Sequence, residues 1–245
     1  MGIASDLQVL YHLAVKRVRG DSHADRMENF YAGQAQAYDD FRRRLLQGRQ
    51  QLWQQLGDHP GAVWVDLGGG TGANLEFFEP QVLARLKKIY VVDLAGSLLK
   101  VLEKRIQQHG WTNVVPVQAD ATTFRPSEGE SQIVTFSYSL TMIPDWFAAI
   151  DNAHRMLQAG GLVGVVDFYV SRQHAAPQHV QHRWSTRSFW PMWFALDNVF
   201  PSSEHLPYLQ QRFESVHLGE NRAKVPYLPL GRVPYYTYVG KKRAT

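Results

Sequence analysis

The feature that most constrains the fold is a glycine-rich turn placed directly after a short apolar segment. The turn reads Asp66-Leu67-Gly68-Gly69-Gly70-Thr71-Gly72, and it separates the apolar run Ala62–Leu67 from a helical pattern. Glycines at a strand-to-helix turn let the backbone bend tightly and let a ligand approach without an obstructing Cβ. No Lys-Ser/Thr pair follows the glycines, which excludes a phosphate-gripping P-loop.

Strand-like and helix-like segments then alternate, as is typical of a parallel sheet covered by helices on both faces. The strand candidates are Ala62–Leu67, Ile89–Val92, Val114–Gln118, Ile133–Tyr138 and Leu162–Tyr169, followed later by Phe213–Leu218 and Tyr235–Gly240. The helix candidates between them are Asn74–Lys87, Ser97–His109 and Trp146–Leu157. We therefore predict an α/β fold with a Rossmann-like, mostly parallel sheet.

The chain before this sheet has a different character. Residues 5–19 and Asp25–Gln55 carry apolar side chains at helical spacing, with a break expected at Gly33 or Gly48. We therefore divide the chain into an N-terminal helical segment, 1–55, and a sheet domain, 56–245, whose aromatic insertion covers about 172–211.

Composition excludes several classes of protein. The chain has no cysteine, so it has neither a disulfide framework nor a cysteine nucleophile. A net charge of +4 is too small to indicate nucleic-acid binding. No apolar run approaches the roughly 20 residues of a membrane span, and we expect a cytoplasmic protein. His174, His179 and His182 cluster in a Gln-rich stretch that we expect at the surface, and we expect no metal site.

Three acids mark the ends of the first three predicted strands. Asp66, Asp93 and Asp120 follow one another at intervals of 27 positions. In an open parallel sheet the ligand crevice lies at the carboxyl ends of the strands, so Asp93 is placed to accept ribose hydroxyls and Asp120 an adenine amino group. Asp66 suits a cationic, amino-acid-bearing ligand better than a pyrophosphate. Either later acid alone is equally well explained as a strand-end cap, but the set of three is not.

This arrangement, over roughly residues 60–170, resembles the class I S-adenosylmethionine-dependent methyltransferases. The resemblance implies a seven-stranded sheet with one antiparallel strand, and S-adenosyl-L-methionine as cofactor. Its methionine portion would lie over the glycines, and the sulfonium and the acceptor would face Ser137 and Tyr138. The residues expected to bind the cofactor are Asp66, Gly68, Gly69, Gly70, Gly72, Asp93, Leu94, Asp120, Ala121, Ser137, Tyr38 and Arg49.

Two segments outside this core indicate the acceptor. The stretch from Phe30 to Arg49 contains Tyr38-Asp39-Asp40-Phe41-Arg42-Arg43-Arg44, and the other segment reads Tyr227-Leu228-Pro229-Leu230-Gly231-Arg232-Val233-Pro234-Tyr235-Tyr236. Together they resemble the BtaB-type N-methyltransferase of betaine lipid synthesis, over most of residues 25–240. The resemblance implies methylation of the amine of diacylglyceryl-homoserine to diacylglyceryl-trimethylhomoserine. It also implies a membrane-surface substrate and a partner, the 3-amino-3-carboxypropyl transferase that makes this lipid.

Aromatic faces suit a cationic methylated amine, and a guanidinium suits the homoserine carboxylate. We expect Tyr31 and Tyr138 to be catalytic, and Arg232, Tyr235, Tyr236 and Trp146 to contact the substrate. Each of these aromatic residues is also explained as core packing, which is the commoner role of Tyr and Trp in an α/β protein. Arg49 and Arg232 are alternatives for the substrate carboxylate, and either can instead bind the cofactor carboxylate or form a surface ion pair.

Membrane contact has two candidate segments, residues 5–19 and Trp184–Phe194, which combine apolar and basic side chains. Both are also explained as helices that simply cover the sheet. Tyr31 and Tyr38 share a helix face, and we expect the N-terminal segment to close over the cofactor as a lid. Two other functions stay open: C-methylation of a quinone precursor, and a catalytically silent fold member that serves as a partner subunit.

Overall fold

The computed structural model describes Asp25, Glu28 and residues 44–195, 198–225 and 231–244. The expectations for residues 5–19, for the lid and for Tyr31 and Tyr38 lie outside these described residues. No helix in the described part of the chain is long and apolar enough to cross a membrane.

Seven strands form one sheet. They are β1 (Val63–Leu67), β2 (Lys88–Asp93), β3 (Val114–Gln118), β4 (Ser131–Ser137), β5 (Leu157–Phe168), β6 (Glu214–Lys224) and β7 (Arg232–Lys241). The helices are α1 (Arg49–Leu56), α2 (Pro80–Arg85), α3 (Gly96–His109), α4 (Trp146–Met156), α5 (Trp184–Ala195) and α6 (His205–Arg212), with 3-10 turns at Ala73–Phe77 and Leu140–Met142.

The strand order is β3-β2-β1-β4-β5-β7-β6. The first five strands pair in parallel, while β7 runs antiparallel to both β5 and β6. The predicted α/β fold with a mostly parallel seven-stranded sheet is therefore confirmed. Because β1 to β5 are parallel, their carboxyl ends meet at one edge, and the order changes direction between β1 and β4 at that edge.

Apolar clusters cover both faces of the sheet. On one face α1, α3 and α5 contribute buried side chains such as Trp53, Leu102 and Phe194. On the other face α4 and α6 contribute Ile150 and Leu209 among others. Full burial of a side chain of this size stabilises the fold by about 1.5–3 kcal/mol.

The sequence prediction was wrong for the helix after the glycine turn. Instead of one helix over Asn74–Lys87, the chain forms a 3-10 turn and the short α2. Pro80 is the reason: it disfavours helical backbone in the preceding residue, and Glu79 is extended at φ −64° and ψ 140°. Of the two breaks expected upstream, Gly48 lies in the described residues and does interrupt the pattern, with φ at 81°.

The last three strands are longer than predicted. β6 and β7 form a hairpin that continues past the apolar segments. β6 lies at the edge of the sheet and carries charged and polar side chains where water reaches them, while β7 lies between β5 and β6 and is exposed only at its two ends. The histidine prediction also needs a correction. His182 is buried, since its Nδ1 accepts a hydrogen bond of 2.9 Å from the backbone of Ser171 and its ring packs against Tyr169.

Candidate cofactor and acceptor site

The glycine turn leaves β1 and is held against the end of β2. The amides of Gly68 and Gly69 donate to the Val92 carbonyl at 2.8 and 3.2 Å, and the Gly70 amide donates to Asp93 Oδ2 at 2.9 Å. Gly68, Gly70 and Gly72 have φ of 72°, 57° and 68°. Residues with a side chain rarely adopt this left-handed backbone conformation, so the shape of the turn itself requires glycine at these three positions.

Two of these glycines also permit close packing within the protein. A Cβ on Gly68 would lie 2.4 Å from Cβ of Ser139, in the turn after β4. A Cβ on Gly72 would lie 2.5 Å from Cδ1 of Leu102 in α3. The glycines that we assigned to the cofactor are therefore also required by the fold itself. At Gly68 the missing side chain lets the turns after β1 and β4 pack together.

Asp66 lies beneath this turn and is fully buried. Its carboxylate accepts hydrogen bonds from Thr135 Oγ1 at 2.7 Å and Asn74 Nδ2 at 3.1 Å. Burial raises the pKa of Asp66 to about 6, although both hydrogen bonds act in the opposite direction. The carboxylate thus binds to the protein's own β4 and 3-10 turn, so that it supports the turn from below.

The Asn74 side chain continues this network towards Arg49. Asn74 Oδ1 accepts hydrogen bonds of 3.4 Å from both Arg49 Nη1 and Ser137 Oγ. Arg49 is buried, donates from Nε to the Leu46 carbonyl at 3.2 Å, and lies 5.5 Å from the ring centre of Phe77. The structure therefore brings Arg49, Asp66 and Ser137 together at the carboxyl edge of β1 and β4.

Asp93 and Asp120 occupy the next two strand ends. Asp93 is half-buried, and its Oδ1 accepts the Ala95 amide at 2.9 Å. Asp120 is exposed, and its Oδ1 accepts both the amide and the hydroxyl of Thr122 at 2.7 Å. Both acids also cap local backbone, as the strand-end alternative expected. Leu94 is half-buried beside Asp93 and Ala121 is buried beside Asp120. Their cofactor roles stay predictions.

Tyr138 follows β4 in a strained conformation, with φ at 54°. Its hydroxyl donates to the Gln47 carbonyl at 2.7 Å, and its ring packs edge-on against Phe168 at 4.6 Å. Burial raises its pKa well above the usual value for tyrosine. In this structure the side chain predicted to be catalytic is buried in the apolar cluster, and its hydroxyl is bonded to the backbone.

The four residues expected to contact the substrate do not converge. Tyr235 and Tyr236 point to opposite faces of β7, because side chains alternate along a strand. Tyr235 belongs to the same apolar cluster as Tyr138, whereas Tyr236 is fully buried on the other face. Trp146 packs on that second face, with its ring 4.8 Å from His205. Arg232 is exposed at the start of β7.

Sequence reasoning missed the groups that complete the network, among them the side chains of Asn74 and Thr135 and the backbone carbonyl of Gln47. It also missed Asp167 at the end of β5, which is fully buried and accepts a 2.8 Å hydrogen bond from Thr141 Oγ1. Polar residues within buried strands, such as Thr135 and Asp167, were the available signal. A buried polar group requires a partner, and such groups identify a network.

The arrangement has the donor and acceptor groups that S-adenosylmethionine requires. It places a guanidinium at the start of α1 and acids at the ends of β2 and β3, and their assignment to the amino-acid carboxylate, the ribose hydroxyls and the adenine amino group stays a prediction. The sheet order, the glycine turn and this sequence of groups define an S-adenosylmethionine-dependent methyltransferase of class I. Solved structures of the same fold include complexes with that cofactor or its product.

A family model described as the ubiE/COQ5 methyltransferase family matches residues 20–215, and the chain belongs to this family. Curated relatives include the ubiquinone/menaquinone biosynthesis C-methyltransferase UbiE of Shewanella sp. (strain ANA-3), which is 28% identical over 174 residues. That match covers 69% of this chain and 66% of the relative. The same protein of Shewanella halifaxensis is 27% identical over the same length.

Among solved structures, the YcgJ protein of Bacillus subtilis has a TM-score of 0.64 at 15% identity, covering 80% of this chain and 99% of its own. Phosphoethanolamine N-methyltransferase 2 of Haemonchus contortus has a TM-score of 0.68 at 12% identity, covering 92% and 61%. The N-methyltransferase NodS of Bradyrhizobium japonicum has a TM-score of 0.60 at 14% identity, covering 98% and 99%. At these identities the likeness establishes the fold alone.

Proposed function

We propose that this methyltransferase transfers methyl groups to the amine of diacylglyceryl-homoserine and so produces diacylglyceryl-trimethylhomoserine. The observation that carries the proposal is the position of α5, which presents apolar side chains to the outside and packs on the ring next to Tyr138. An acceptor with two acyl chains stays in a bilayer, so its enzyme needs such a surface close to the reacting centre.

A continuous row of rings joins α5 to the candidate site. Phe194 of α5 stacks on Phe168 with ring centres 4.8 Å apart, and Phe168 contacts Tyr138 at 4.6 Å. The outer side of the same helix carries Trp184, 75% exposed, and Met192, 70% exposed. Trp190 is buried and cannot contact a membrane in this structure. Of the docking surface predicted from the sequence, only the outer side of α5 therefore remains available.

The charges around α5 suit an anionic bilayer. Arg183 is exposed immediately before the helix, and Phe189 is partly exposed on it. Large apolar side chains beside basic ones favour the interface of anionic membranes, with about 1 kcal/mol for each basic residue near the surface. This supports a lipid acceptor that is methylated while its acyl chains remain in the membrane.

The groups beneath the site suit an amine. When bound, the cofactor supplies an electrophilic methyl group on a sulfonium. The Tyr138 hydroxyl donates to a backbone carbonyl, and both hydrogen bonds of Asp66 described above come from the protein's own side chains. An amine with a reference pKa of about 8 loses its proton to water near neutral pH, and the free base then supplies the lone pair that attacks the methyl group. The ammonium formed by the first and second transfers gives its proton to water in the same way, so no buried base is needed. Under this proposal an aromatic face that reaches the methylated nitrogen stabilises the resulting cation by about 0.5–2 kcal/mol, and the buried ring of Tyr138 is the nearest candidate at the end of β4.

A second candidate is C-methylation of a quinone precursor, which the family and its UbiE relatives favour. Such a ring carbon must lose a proton, so this reaction requires a base. The fold supports both reactions, since NodS is an N-methyltransferase by name. Under the first proposal, the acceptor comes from a 3-amino-3-carboxypropyl transferase acting on diacylglycerol.

The test is incubation of the purified protein with methyl-deuterated S-adenosylmethionine and anionic vesicles. One set of vesicles contains diacylglyceryl-homoserine, another contains a demethylated quinone, and a third contains both acceptors. We expect labelled methyl groups on the head-group fragment of the lipid, identified by mass spectrometry. Label on the quinone alone, when both acceptors are present, would replace the first proposal with the second.

A further inference from the structure

A cavity of about 580 Å³ lies on the face of the sheet that α4 and α6 cover, between the turn after β4 and residues 198–202. We propose that this cavity binds an acyl chain of the acceptor, an inference that rests on the proposed function. Its apolar lining is contributed by Leu140, Met142, Ile143, Pro144, Trp146 and Phe200. Ligand pockets of 300–1,000 Å³ with mostly apolar walls are typical of sites for small apolar groups.

The polar groups of Thr141 and Ser202 in this wall are bonded within the protein, and Asn198 adds one side-chain amide to the lining. Thr141 donates its hydroxyl and its amide to Asp167 at 2.8 and 3.2 Å, and its carbonyl accepts the Phe200 amide at 2.8 Å. The Ser202 hydroxyl accepts the Glu204 amide at 3.0 Å. A polar occupant would gain few partners from these groups and would lose its hydrogen bonds to water, whereas an aliphatic chain loses none. The lining therefore selects an apolar occupant.

The wall of the cavity is continuous with the candidate site. The 3-10 turn that begins at Leu140 comes directly after Tyr138 and Ser139, and the Ser139 hydroxyl donates to the Leu67 carbonyl at 2.8 Å. A chain in this cavity thus lies against the same turn that presents Tyr138 and contacts the glycine turn. Under the proposal, an acceptor whose head group lies at the carboxyl edge of β4 places one chain here.

Two exposed aromatic side chains accompany the cavity, one in its wall and one next to Trp146 in the chain. Phe200 in its wall is 57% exposed, and Phe147, whose ring centre is 5.9 Å from that of Trp146, is 48% exposed. Exposed aromatic side chains beside an apolar cavity lower the cost of moving an aliphatic chain from a bilayer into the protein. The entrance therefore fits a chain that arrives from a lipid surface.

Met142→Trp tests the inference, because it adds volume to the lining. The acceptors are diacylglyceryl-homoserine in detergent micelles and glyceryl-homoserine, which has the same head group and no acyl chain. We expect Met142→Trp to raise KM for the diacyl acceptor by about tenfold or more, since each methylene excluded from an apolar site weakens binding. Methylation of glyceryl-homoserine should change much less than methylation of the diacyl acceptor, because only the diacyl acceptor occupies the cavity. Val216→Trp, at an exposed position of β6, is the matched control.

A binding measurement separates failure of this inference from failure of the proposed function. Dibromostearate quenches the fluorescence of a tryptophan that it contacts, and Trp146 lines the cavity. We expect quenching in the parent chain, and less of it in both Trp146→Phe and Met142→Trp. Quenching that is the same in all three chains overturns the cavity assignment, whatever the acceptor. If quenching follows the prediction but neither homoserine compound is methylated, the cavity stands and the proposed acceptor is wrong.

Discussion

Replacing Asp93 by alanine removes more than a ribose partner. Its two carboxylate oxygens accept the amides of Gly70 and Ala95, each at 2.9 Å, and thereby hold the glycine turn against the end of β2. We therefore expect Asp93→Ala to weaken cofactor binding and also to loosen the turn.

The magnitudes follow from the contacts. Hydrogen bonds to a charged group contribute about 1.5–3 kcal/mol each. Losing the hydrogen bonds to both ribose hydroxyls therefore costs up to about 6 kcal/mol of binding free energy, and losing one of them lowers the affinity about tenfold or more. Leaving two amides without their acceptor costs about 1–3 kcal/mol each when they are buried. Because Asp93 is only half-buried, we expect a loss near the lower limit, about 2 kcal/mol in the free energy of unfolding.

Calorimetry with S-adenosylhomocysteine and its 2′-deoxy analogue separates the two effects. The parent should bind the deoxy analogue more weakly, while Asp93→Ala should bind both compounds with similar affinity, because its partner for that hydroxyl is gone. Glu103→Ala, on the exposed side of α3, is the control. Parent-like affinity for S-adenosylhomocysteine in a folded Asp93→Ala chain would refute the ribose assignment. Retained discrimination against the deoxy analogue would do the same.

Three further predictions follow from individual contacts. Gly68→Ala should lower the free energy of unfolding, measured in urea, by about 2–5 kcal/mol. Gly68 has left-handed backbone, and the added Cβ would lie 2.4 Å from Cβ of Ser139. Ser139→Gly in the same chain should therefore recover part of that loss. Burial raises the pKa of Asp167 to about 7, so the stability that its protonated form contributes is present below pH 4 and is lost as the pH rises to 7. Asp167→Asn does not titrate, and its free energy of unfolding should therefore rise by up to about 4 kcal/mol relative to that of the parent between pH 4 and pH 7. Trp184→Ala should reduce binding to anionic vesicles by up to about tenfold, and Val216→Ala should not.

Each of these has a result that contradicts it. Equal stability of Gly68→Ala and the parent would show that the turns after β1 and β4 separate without cost. A stability difference between Asp167→Asn and the parent that does not change from pH 4 to pH 8 would mean that the carboxyl titrates normally. Equal sedimentation of Trp184→Ala and the parent would remove α5 from the membrane contact.

The candidate site could be predicted in part. The strand-end acids Asp93 and Asp120 were found from spacing alone, because parallel strands bring their carboxyl ends to one edge whatever the details of packing. Arg49 was proposed only as one of two arginines, and the structure places it beside Asn74 whereas Arg232 lies exposed on β7. That choice depends on a contact between residues 25 positions apart, which no local pattern records.

The sequence by itself determined the fold class and the edge of the sheet at which we expect a ligand to bind. Alternating apolar runs and a glycine turn depend on local backbone preferences and on hydrophobic periodicity, which act over a few neighbouring residues. The tertiary structure alone decided which side chains face that edge. The direction of the Tyr138 hydroxyl, the burial of Asp66 and the separation of Tyr235 from Tyr236 all depend on partners from distant strands and turns. A buried polar group takes whichever partner the packing brings within reach, and packing is settled only when the whole chain has folded.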